Sequence, residues 1–139
     1  DPALRQARVC FDHLAGTVAV QLADAFCRAG LLGGSSAWTI SPEGERFFGR
    51  LGVDVRALET GRRPLVRQCL DWSERRFHVG GALGAALLER IIASGWARRE
   101  PGTRIVTFTD AGERWLRELT MQVAGTGRRE LPLAASLRA

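Results

Sequence analysis

Apolar residues recur every three or four positions from the start of the chain. Leu4, Ala7, Phe11, Leu14, Val18, Leu22, Ala25 and Ala29 describe the buried stripe of one amphipathic helix, stopped by Gly30. The spacing returns at Val79, Leu83, Leu87 and Ile91 and stops at Gly95. The segment WARREPGTRIVTF then offers two strand-like runs around a Pro-Gly turn, which predicts a hairpin. Ser41-Pro42 and Thr109-Asp110 supply an N-cap and a first helical residue for EGERFFGRL and AGERWLREL. Between these blocks, VDVRALETGRRPLVRQ predicts a short helix capped by Asp54, a break at Gly-Arg-Arg-Pro and an extended approach to Cys69.

The two blocks are copies of one another. HLAGTVAVQLADAFCRAGLL, from His13, aligns without a gap on HVGGALGAALLERIIASGW, from His78, and Gly30 and Gly95 each fall 17 residues after their histidine. WTISPEGERFFGRL then aligns on VTFTDAGERWLREL through the shared GER at Gly44 and Gly112, the second copy absorbing three extra residues in its hairpin loop. Each copy reads helix, hairpin, helix. Such a repeat has to be settled before any motif is interpreted. The expected fold is mainly α with small β-hairpins (α+β), a first repeat over 1–60, a second over 61–124 and a loosely ordered tail over 125–139.

Composition narrows the class. The 139 residues are 45% hydrophobic and 25% charged, enough for one core. No apolar run approaches the roughly 20 residues that span a bilayer, and DPALRQARV lacks a secretion-signal pattern, so the chain reads as cytoplasmic with no membrane partner. A start at Asp1 rather than Met reads as a processed form or as the ordered part of something longer. The net charge of +5 points toward nucleic acid. That pull is weakened because every basic residue is Arg, with no Lys, Asn or Tyr anywhere, a skew that a GC-rich genome produces by codon bias.

The helix–hairpin–helix order and the T-x-x-G-x-x-x-L pattern of the second copy look like winged-helix transcription regulators. More closely, ARVCFDHLAGTVAVQLADAFCRAGLL, CLDWSERRFHVGGALGAALLERIIASGW and VTFTDAG resemble, over nearly the whole chain, the C-terminal half of long ArsR-type regulators. The resemblance implies two winged-helix-like units and a DNA-binding winged helix N-terminal to this region. It also implies that the region is an effector-sensing and dimerisation part, with a homodimer as the expected assembly and DNA met through the N-terminal domain.

Two readings compete on the DNA question. A recognition helix presents polar side chains to base edges, whereas HLAGTVAVQ and HVGGALGAA are small and apolar. Arg98, Arg99 and Arg104 on the second hairpin are the candidates for direct DNA contact, against a plain solvated Arg-rich hairpin. Gly16, Gly80, Gly81 and Gly84 suggest helices of the two copies in close contact, at a propensity cost of roughly 1 kcal/mol per helical glycine.

The candidate chemistry lies in two stretches, CFDHLAG and CLDWSERRFHVGG, each opening with Cys-x-Asp and leading to His. If a helix runs through Cys10, then Cys10 and His13 share one face, with Asp12 elsewhere. Cys69 and His78 need an intervening turn, which DWSERRF supplies. Packed about a pseudo-twofold, Cys10, His13, Cys69 and His78 would form a Cys2His2 set suited to zinc or another transition metal, with Asp12 and Asp71 behind them. ArsR-type proteins include metal sensors, so the resemblance supports that reading.

Plainer readings stand beside it. The cysteines serve as small core residues, as Cys27 does, Asp71 with Glu74 forms a capping box, the aspartates pair with Arg8, Arg75 or Arg76, and the histidines start their helices. A reactive thiol tuned by Arg8 or Arg67 is a third. Trp38, Trp72, Trp96 and Trp115 either line a small-molecule pocket or pack the core, and the repeat positions of Trp96 and Trp115 favour the core. No Gly-rich phosphate loop and no nucleophile elbow is present, and no Ser has a matched base, so an enzyme is not expected.

Overall fold

A computed structural model describes residues 1–126, with side chains through 122. Its elements are α1 (Pro2–Gln6), β1 (Arg8–Cys10), β2 (His13–Ala15), α2 (Thr17–Arg28), β3 (Leu32–Gly33), β4 (Thr39–Ile40), α3 (Pro42–Arg50) and α4 (Val55–Glu59), followed by β5 (Arg67–Asp71), β6 (Arg76–Gly80), α5 (Gly81–Ala93), β7 (Ala97–Arg99), β8 (Val106–Phe108) and α6 (Asp110–Thr126). The order hairpin, helix, hairpin, helix occurs twice, and all four hairpins are antiparallel pairs. The result is an α+β chain of helices and small hairpins.

The long N-terminal helix is not there. The chain leaves α1 at Ala7 and turns at Phe11, whose φ is +64°, into β2. Tertiary pairing outweighs the helical spacing. The Val9 N–H donates to the Arg104 carbonyl and the Val106 N–H to the Ala7 carbonyl, so β1 is stitched to β8 as well as to β2. Phe11, assigned to the buried stripe, is 98% exposed at the tip of this hairpin. The helix proper begins after Gly16, whose φ of +101° only glycine takes readily.

From α2 onward the expected helices, caps and β7–β8 hairpin are present, but His78 and Val79, expected in the second helix, lie in β6, paired with β5; the two copies use the same joints. Gly30 and Gly95 both end their helices with positive φ, and Leu31 and Trp96 donate back to the Phe26 and Ile91 carbonyls, as a Schellman cap requires. Ser41 Oγ donates to the Gly30 carbonyl at 2.6 Å and accepts the Gly44 N–H at 2.9 Å. Thr109 Oγ1 donates to the Gly95 carbonyl at 2.8 Å and accepts the Gly112 N–H at 3.1 Å. A Cβ at Gly44 would strike the Leu31 carbonyl, and one at Gly112 the Trp96 carbonyl, which is why both copies read GER with glycine first. Asp54 caps α4 by accepting the Ala57 N–H.

Packing between the copies is reciprocal: α2 of the first lies on β6 of the second, and α5 of the second lies on β2 of the first. One core results, with Phe26, Phe47 and Phe48 meeting edge-on or tilted at one end and Trp96 stacked on Trp115 at 4.3 Å at the other. Trp38 meets Phe77 edge-on near the surface and Trp72 is exposed, so the four tryptophans do not line a common pocket. Helix α6 continues through Gly125 to Thr126, and the rest of the expected tail lies outside the described residues.

Candidate functional site

Cys10 and His13 are cross-strand partners in β1–β2, on either side of a two-residue turn, rather than neighbours on a helix. Cys69 and His78 are partners in β5–β6, with the intervening turn at residues 72–75. Directly opposed residues of an antiparallel pair project from the same face. Each hairpin therefore presents one thiol and one imidazole side by side, and neither histidine starts a helix.

Strands β2 and β6 lie against each other, and this brings the two faces together. One ligand atom from each of Cys10, His13, Cys69 and His78 lies within 4.8 Å of the others. The Nε2 atoms of His13 and His78 are 3.0 Å apart. The histidines are buried, at 6% and 1% exposure, and the two cysteines are half-buried, their thiols free of disulfide. Cys27 lies elsewhere, packed against the core, its thiol pushed up by burial and by the nearby Asp24 charge.

Both Nδ1 atoms are held by carboxylates. His78 Nδ1 donates to Asp71 Oδ2 at 2.9 Å, and His13 Nδ1 donates to Asp12 Oδ1 at 3.3 Å. Asp71 is fully buried yet well served: Oδ2 also accepts the Gly16 N–H at 2.6 Å, while Oδ1 accepts from the Ser73 N–H, the Ser73 hydroxyl and the Glu74 N–H, with Arg8 at 3.5 Å. Burial pushes its pKa up, but the bonds from Ser73, Gly16 and Glu74 and the Arg8 charge outweigh it, leaving the carboxyl well below the usual range. Asp12 is lowered by the hydrogen bond from Arg63, 2.6 Å away on the linker between the copies. Arg75 and Arg76 do not take up either site aspartate; Arg76 pairs with Asp24 instead.

The electrostatics oppose charge on His78 and Cys69. Burial and the neighbouring His13 lower the His78 pKa against the pull of Asp71. Burial and the adjoining Cys10 thiol raise the Cys69 pKa, with only partial relief from Arg67.

Sequence reasoning missed what makes room for this cluster. A Cβ on Gly80 would lie 3.3 Å from His13 Cε1 and 3.4 Å from the Cys69 Cβ. A Cβ on Gly84 would strike the Val79 carbonyl and come within 3.1 Å of the His13 Cβ. Of the glycines expected to bring helices of the two copies together, only Gly81 and Gly84 lie in a helix, and Gly80 and Gly84 clear space for His13. Gly81 opens α5 at φ +74°, where a Cβ would press on the Pro64 carbonyl.

Arg98, Arg99 and Arg104 are exposed on β7–β8 and its loop, Arg98 lying 3.5 Å from Glu100. Helices α2 and α5 each bury seven residues, so most of their surface is packed. Among the described residues no helix is long and apolar enough to cross a membrane.

No family model matches the chain, and no solved structure matches it. Among curated proteins it is similar to the uncharacterized HTH-type transcriptional regulator YdfF of Bacillus subtilis (strain 168), with 42% identity over 111 residues. That alignment takes in 79% of this chain and 49% of YdfF, so the chain spans about half the length of the curated relative it matches.

Proposed function

We propose that the chain is the effector-sensing and dimerisation part of a bacterial ArsR-like transcription regulator, with DNA bound by a winged helix in another part of the same protein. The observation that carries this reading is the convergence of Cys10, His13, Cys69 and His78, two from each copy, at one point between β1–β2 and β5–β6. It is supported by the likeness to an HTH-type regulator twice as long as the aligned region. An occupant there, a metal ion or a thiol oxidant, acts on both copies at once and biases the geometry of the attached DNA-binding domains. The protein works in the cytoplasm, as a homodimer, without catalysing a reaction.

The test is DNA affinity of the whole regulator with and without added metal or oxidant. Cys10→Ser with Cys69→Ser abolishes the response; an unchanged response in that double variant removes the sensing role. A second reading rests on the exposed Arg98, Arg99 and Arg104, which would let this chain hold DNA by itself. Three phosphate contacts give a slope of log affinity against log salt of about −3. Salt-dependent duplex binding by this chain, lost on replacing the three arginines with Ala, would favour it.

A further inference from the structure

We propose that Cys10, His13, Cys69 and His78 are the four ligands of a single tetrahedral zinc-type ion, both histidines binding through Nε2, and that this ion clamps the two hairpins together. This names the chemical class of the occupant at the site of the proposed function, and rests on that reading only for its regulatory meaning.

The first support is the donor set. Two thiolates and two imidazoles form a closed Cys2His2 shell, the combination that selects tetrahedral zinc over hard cations. Zinc–sulfur and zinc–nitrogen bonds of about 2.3 and 2.0 Å place ligands about 3.3 to 3.8 Å apart in a tetrahedron. Here the four atoms span at most 4.8 Å and the two nitrogens 3.0 Å, so small side-chain rotations close the shell.

The second support is independent and lies in the hydrogen bonds. An ionised carboxylate only accepts, so Asp12 and Asp71 fix the proton of each ring on Nδ1. Both Nε2 atoms then present bare lone pairs to each other across 3.0 Å. Two acceptors in contact repel unless something positive lies between them. A bridging proton would place an imidazolium in a pocket where the rings are almost inaccessible to water, and would leave the thiols unused. A divalent ion takes both lone pairs and both sulfurs, and its charge is balanced by the two thiolates it creates. The carboxylates behind the rings complete the carboxylate–histidine–metal arrangement that orients such ligands.

The backbone is shaped for the same end. Gly80 and Gly84 leave the volume that His13 occupies, and Gly16, held by Asp71, ties the second hairpin's carboxylate to the first copy's main chain. No other group of three or more candidate ligands occurs among the described residues.

The experiment is a cobalt(II) titration of the reduced, chelator-stripped 139-residue chain, followed by displacement with zinc(II). We expect one equivalent per chain, the intense visible bands of tetrahedral cobalt with a thiolate charge-transfer band, bleaching by one equivalent of zinc, and a raised thermal midpoint. Cys27→Ser leaves all of this unchanged, and Asp12→Asn, on a partly exposed side chain, weakens affinity about tenfold. Cys10→Ser with Cys69→Ser removes the charge-transfer band; should that variant fail to fold, the Cys27→Ser and Asp12→Asn results still decide. An octahedral spectrum, loss of binding in Cys27→Ser, or no binding by folded wild-type chain overturns the inference. Tight zinc binding with DNA affinity of the whole regulator unchanged keeps the ion and removes its effector role. No metal bound, with DNA affinity still answering to a thiol oxidant, overturns the ion and keeps the sensing region.

Discussion

The Asp71 carboxylate accepts the Gly16 N–H at 2.6 Å, so a buried charge on the second copy holds the main chain where the first copy's helix begins. The same oxygen accepts from His78, which makes Asp71 the joint between the candidate site and the fold.

Asp71→Asn should therefore cost about 2 to 4 kcal/mol in urea unfolding, because an amide nitrogen must face backbone donors on one side or the other. Asp12→Asn, whose carboxylate is partly exposed beside Arg63, should cost far less. Equal losses in the two variants would refute this division of labour.

Acid should destabilise the metal-free chain. The folded Asp71 pKa lies below its unfolded value near 3.9, so its stabilisation is present above about pH 4 and is lost as pH falls through and below that value. His78 adds in the same direction. It is held neutral by burial, so below about pH 6.5 the unfolded chain binds a proton that the folded chain resists. The urea midpoint should fall from pH 7 to pH 4, and Asp71→Asn should flatten the part below pH 4. A midpoint that rises on acidification contradicts both assignments.

Two glycine replacements inside helices should differ sharply. Gly84→Ala drives a methyl into the Val79 carbonyl and toward His13 and should cost about 2 kcal/mol or more. Gly49→Ala, on α3 with open space around it, should be neutral or stabilising by up to about 1 kcal/mol. Thermal melts of the two variants separate packing from propensity.

Trp115 stacks on Trp96, but its buried Nε1 has no hydrogen-bond partner. Trp115→Phe removes ring area and an unpaired donor together, so the two effects offset and the net loss should stay within about 1.5 kcal/mol. Leu119→Ala, at a fully buried position with nothing to offset the cavity, should cost about 2 to 5 kcal/mol. If Trp115→Phe proves the more damaging, Nε1 has a partner that this geometry does not show.

The repeat was legible because its punctuation is local. Gly30 and Gly95 as stops, Ser41 and Thr109 as caps, and Pro101-Gly102 as a turn act within a few residues and need no tertiary information. The four site residues were legible too, since Cys-x-Asp followed by His recurs. Their mounting was not. Ala7 to Leu14 carries apolar residues at helical spacing, and the bonds from Val9 to Arg104 and from Val106 to Ala7, each joining residues almost a hundred positions apart, hold that stretch as a hairpin. The roles of Gly80 and Gly84 were hidden for the same reason: the side chain they accommodate belongs to the other copy.

Each hairpin holds two of the four candidate ligands, and neither copy alone can finish the set. A primitive protein with one such unit could have completed it only by pairing with a twin. One chain that carries both copies makes that pairing permanent and lets the halves differ. The first copy has a two-residue turn between its cysteine and histidine strands, with Asp12 in the turn, while the second has a longer hairpin with Asp71 inside a strand. That difference gives the junction a distinguishable front and back.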